Sequence, residues 1–84
     1  MNEFQKRMAE YQKSFNETVS STNDEITVNF NGTIQISSIQ SKVDLNDEIN
    51  KAILIETINT GIRNTSQKVS IGVKMITEQM AQQS

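Results

Sequence analysis

The chain has 84 residues, with eight Lys and Arg against ten Asp and Glu and no Cys, His, Pro or Trp. Disulfides, His or Cys metal sites, and Ser/His or Cys/His nucleophile pairs cannot be assembled from such a composition. The length allows one domain, residues 1–84, which at this size buries only about 60% of the surface that its unfolded chain exposes and has nothing covalent or metallic to supplement its core.

The first segment places Met1, Phe4, Met8, Tyr11 and Phe15 at alternating spacings of three and four, a heptad seam that predicts an N-terminal helix. Glu3 stands four residues before Arg7 and Glu10 three before Lys13, as in a solvated face laced with ion pairs. The opening Met1, Asn2, Glu3 is not a basic start leading into an apolar stretch, and the longest apolar run is Ala52 to Ile55, so neither a secretory signal nor a membrane span is expected. A cytoplasmic setting follows, in which the Asn-x-Ser/Thr sequons at Asn16, Asn31 and Asn64 are compositional coincidences.

Ser20 to Asp24 carry turn chemistry. Ile26, Val28 and Phe30 then alternate with polar residues, Asn31 and Gly32 form a hairpin signal, and Ile34 and Ile36 resume the alternation. A two-residue type I′ turn at Asn31-Gly32 is expected. Ile39 falls out of phase with Ile36 unless a residue near Ser37 and Ser38 bulges, which would return it to the core. A further short strand around Thr18 to Ser21 would turn the antiparallel β-hairpin into a three-stranded meander.

The last segment predicts a long C-terminal helix from about Asn46 to Gln82, capped by Asp44 or Asn46. Its apolar residues form one stripe of Ile55, Ile58, Ile62, Val69, Val73, Ile76 and Met80 and a second of Leu45, Ile49, Ala52, Ile53 and Ile71. Beyond Ile62 only the first helix remains in the chain to cover this rod, so a second copy is the expected cover. Ile55, Ile58, Ile62, Val69, Val73 and Ile76 are the expected dimer interface. Gly61 reads either as a point of close approach or as a break between two helices, continuity being favoured.

No chemistry for an enzyme emerges. Asp44, Asn46 and Glu48 are spaced like the start of an EF-hand loop, but Ile49 and Ile55 stand where that loop needs Gly and Glu. The glycines form no phosphate cradle, and Asp24 and Glu25 have no convergent acid/base partner. No cofactor and no metal are expected.

The order of elements, together with Ile26, Val28, Phe30, Asn31 and Gly32, the strand through Ile39, the acidic helix start at Asp47 and Glu48, and Ile58, Asn59, Thr60, Gly61 and Arg63, resembles the small YbaB/EbfC nucleoid-associated proteins. The resemblance implies an α+β fold as an intertwined homodimer with projecting helices. It also implies binding to duplex DNA through backbone phosphates, with little sequence specificity, in the bacterial cytoplasm and in association with the nucleoid. On that reading the DNA contacts are Lys6, Arg7, Lys13, Arg63, Lys68 and Lys74. The chain departs from the family pattern at Ser37 and Ser38, which are uncharged, at Gln40, and in the approach Thr22, Asn23, Asp24. Its acidic balance motivates an alternative, a dimeric protein-interaction or scaffold module of the same fold without DNA binding.

Overall fold

The computed structural model describes residues 2–82, and the seam position at Met1 lies outside them. In chain order it contains α1 (Glu3–Ser14), β1 (Glu17–Ser20), a short 3-10 turn (Thr22–Asp24), β2 (Ile26–Phe30), β3 (Ile36–Ser41) and α2 (Glu48–Gln82). The architecture is α+β: an N-terminal helix, a three-stranded antiparallel sheet ordered β1-β2-β3, and one long C-terminal helix. The meander is therefore the observed form, with Thr18 paired to Asn29 and Val19 to Val28 across β1 and β2.

Local chemistry accounts for the ends of both helices. Asn2 caps α1 in a reciprocal box, accepting from the Gln5 amide at 2.8 Å while Gln5 Oε1 accepts from the Asn2 amide at 3.1 Å. The cap of α2 is Asp47 rather than Asp44 or Asn46, because its Oδ1 accepts from the amides of Ile49 at 2.9 Å and Asn50 at 3.1 Å. Asp44 instead folds its carboxylate onto the Asn46 amide at 2.9 Å, tightening the approach to the helix.

The core is small and central. Ile26, Val28 and Phe30 of the middle strand are fully buried, with Val19, Val43, Leu45, Ile53, Leu54 and Ile58 packed around them. α2 crosses β1 and β2 on a face of Thr57, Gly61 and Thr65, small residues that let helix and sheet approach closely. α2 is continuous through Gly61. Its second half leaves the sheet and pairs with α1, so that the molecule measures 55 × 19 × 16 Å, a sheet-bearing head with a two-helix arm.

The β2–β3 connection departs from the expected two-residue turn. It runs from Asn31 to Gln35, and Gly32 has no positive φ. The Asn31 side chain decides this: its Oδ1 accepts from the Thr33 amide at 3.0 Å, the Thr33 hydroxyl at 2.7 Å and the Gln35 amide at 3.1 Å, which builds a wider loop. The left-handed residue is Ile34, at φ 62°, and it no longer belongs to a strand. Gly32 is needed for a different reason, since a Cβ there would lie 2.5 Å from the backbone of Gln12 in α1.

The expected bulge is present. Asn29 pairs with Ser38 but Phe30 with Ile36, leaving Ser37 as the extra residue, so Ile36 and Ile39 share the face of Phe30 and Val28. Ile39 is nevertheless outside the core, because α2 covers β1 and β2 and stops short of β3. Ile36 and Ile39 stay 43% and 42% exposed.

Candidate nucleic-acid interface

Two helical segments carry the six cations singled out from the sequence. On α1, Lys6 and Lys13 are seven residues apart and exposed on the side turned away from the half-buried Met8, Tyr11 and Phe15. Arg7 is half-buried and donates from Nε to Glu3 Oε1 at 3.1 Å, the ion pair that the spacing predicts. On α2, Arg63 and Lys74 are eleven residues apart, which returns them to one stripe roughly 16 Å apart along the axis, opposite Gly61 and Thr65. Lys68 lies on the other side of that helix and reaches back to Glu17 Oε2 at 2.8 Å, tying the arm to β1.

The six therefore do not form one patch. α1 is held against α2 by Tyr11, whose hydroxyl donates to the Lys68 carbonyl at 3.1 Å and whose ring fills the space beside Gly72. Lys6 and Lys13 consequently face outward on one flank of the arm and Arg63 and Lys74 on the other. Lys6, Lys13 and Lys74 take part in no ion pair among the described residues, and the Arg63 guanidinium donates only to the Thr60 hydroxyl, at 3.3 Å.

What the fold does separate is the balance of charge, positive along the arm and negative in the head. α1 and the part of α2 that follows Thr65 hold Lys6, Arg7, Lys13, Lys68 and Lys74 against Glu3, Glu10 and Glu78, a net charge of +2, while Arg63 lies on the stretch that crosses the sheet. The remainder of the chain holds Lys42, Lys51 and Arg63 against seven acids, a net charge of −4, and the two parts together make the overall −2. The linear sequence gives the charge of each segment, but that two segments fifty residues apart form one arm is decided by helix packing.

The expected dimer residues divide as well. Ile58 packs on the chain's own core, and Val69, Val73 and Ile76 are half-buried along the arm, where α1 supplies the cover that a second copy was expected to give. Ile55 and Ile62 remain 59% and 41% exposed. They lie on the flank of α2 opposite Ile53 and Thr60, which border β1, and so they face the β3 side, where Ile36 and Ile39 are also uncovered. Of these four exposed isoleucines, Ile36 and Ile39 were not among the expected dimer contacts.

One further concavity, of about 280 Å³, lies between β1, the Thr22–Asp24 turn and α2. Glu25 and Glu56 are its charged groups, hydroxyls line it together with Val19, Asn23 and Ile53, and no Lys or Arg is among its lining residues. Among the described residues no three carboxylates converge into a metal-holding group, and no helix is long and apolar enough to cross a membrane. No protein-family model matches the chain, and neither does any curated protein.

Proposed function

We propose that the chain is a homodimeric nucleoid-associated protein of the YbaB/EbfC kind, which binds duplex DNA through its phosphates with little sequence preference. The observation that carries this reading is the segregation of charge. A surplus of Lys and Arg on a projecting two-helix arm is the footprint that phosphate neutralisation requires, and seven of the ten acids lie in the head. Exposed isoleucines support the dimer, since Ile36 and Ile39 on β3 and Ile55 and Ile62 on α2 leave apolar surface in water that a second copy would cover. Two such copies would present two positive arms to one duplex. With no aromatic on the outward stripes of Lys6, Lys13, Arg63 and Lys74, contact is to the backbone and not by base stacking.

A second reading, a dimeric protein-interaction module without DNA binding, draws on the Arg7–Glu3 and Lys68–Glu17 ion pairs, which engage two of the six cations within the chain. Mobility shifts at low salt separate the two. Retardation of any duplex by micromolar protein, lost when Lys6, Lys13, Arg63 and Lys74 are changed to Gln, is the outcome for DNA binding. Failure to retard any duplex rejects it.

A further inference from the structure

The dimer proposed above leaves open which surfaces meet, and β3 narrows the choice. This strand is an edge of the sheet and six residues long, whereas the opposite edge, β1, has four and is overlaid by α2. Edge strands in soluble proteins are ordinarily guarded by charges, Pro or bulges; β3 has the bulge at Ser37, yet no residue from Ile26 to Ser41 is charged and the chain has no Pro.

We infer that β3 pairs antiparallel with β3 of a second copy of this chain, about a two-fold axis between Ser37 and Ser38, to give one continuous six-stranded sheet. Among the registers near the middle of the strand, this one brings all four isoleucines of the two copies into pairs. A two-fold axis between Ser37 and Ser38 sets Ile36 opposite the partner's Ile39, and directly opposite residues share a face. Both isoleucines already lie on the face that carries Val28 and Phe30, so the four from two copies meet as two apolar pairs. The matching bulges at Ser37 face each other and keep equal numbers of residues between the pairs. An uncharged strand is what such an axis tolerates, because any charge near it would confront its own copy.

Ser38 tests the idea on the full chain. It is exposed on the opposite face from Ile39, so replacing it spares the core. Ser38→Lys and Ser38→Glu place like charges across the axis. Each alone is expected to sediment as a monomer with unchanged circular dichroism, while an equimolar mixture returns to the mass of a dimer. Ser38→Cys adds a direct readout in a chain without native cysteine. The two Ser38 Cα atoms would lie about 6 Å apart, within disulfide range, and mild oxidation should give a covalent dimer. Thr18→Cys, on the far edge strand, should not. If wild type is a dimer and Ser38→Lys and Ser38→Glu remain dimers, or Ser38→Cys does not cross-link, the edge pairing is wrong and the dimer forms elsewhere. Wild type sedimenting as a monomer overturns the dimer itself, and the pairing with it.

Discussion

The Phe30 ring occupies the space that a Cβ on Gly61 would need. Helix and sheet therefore meet at a glycine facing the largest side chain of the core, a contact that sets the depth at which α2 lies on the sheet.

Gly61→Ala tests that contact. Alanine is better than glycine in a helix by about 1 kcal/mol, but forcing a methyl against a fully buried ring costs about 1–3 kcal/mol in displaced backbone and side chains. A net loss of stability is expected in urea denaturation. A gain would mean that the ring has room to move aside.

Ile34 at φ 62° is a β-branched residue in the left-handed region, a conformation that costs roughly 1–2 kcal/mol and that asparagine tolerates better. Ile34→Asn should raise stability by about 0.5–1 kcal/mol in the same assay, because the side chain is already partly exposed and little burial is lost.

Thr65 is fully buried against the sheet side of α2, and its hydroxyl makes no hydrogen bond among the described residues. Thr65→Val keeps the shape and removes a desolvated polar atom. A stabilisation of about 1 kcal/mol is expected, measured as a higher denaturation midpoint with unchanged slope.

Ile62 is 41% exposed in the single chain, so Ile62→Asp costs the monomer only part of a side chain's burial, whereas in the proposed dimer it would bury an unpaired carboxylate at a cost of several kcal/mol. Analytical ultracentrifugation should find a folded monomer. Val69→Asp is the less clean variant, because Val69 is already half-buried and the fold would weaken along with the dimer.

DNA binding through phosphates releases counterions, so the logarithm of affinity should fall linearly with that of salt, by about 0.9 for each phosphate neutralised. Changing Lys74 to Gln should flatten that slope by about one contact per chain while affecting all duplex sequences equally. Lys42→Gln, in the acidic head, should leave the slope unchanged.

The elements themselves were legible in the sequence because each rests on a short-range period: the three-four spacing of Phe4, Met8, Tyr11 and Phe15, the alternation of Ile26, Val28 and Phe30, and the long apolar rod that became α2. The bulge at Ser37 was also readable, as a break in phase between Ile36 and Ile39. Three features were decided only by tertiary structure. The loop at Asn31 took its form from a side chain that satisfies three donors and from the close passage of Gln12 over Gly32. The cover on the second half of α2 came from α1, since Tyr11 could find Gly72 and Lys68 only once the chain had folded back. Charge segregation arose from the same packing, because a linear sequence records how many charges a chain has, whereas the field at its surface depends on which of them end up side by side.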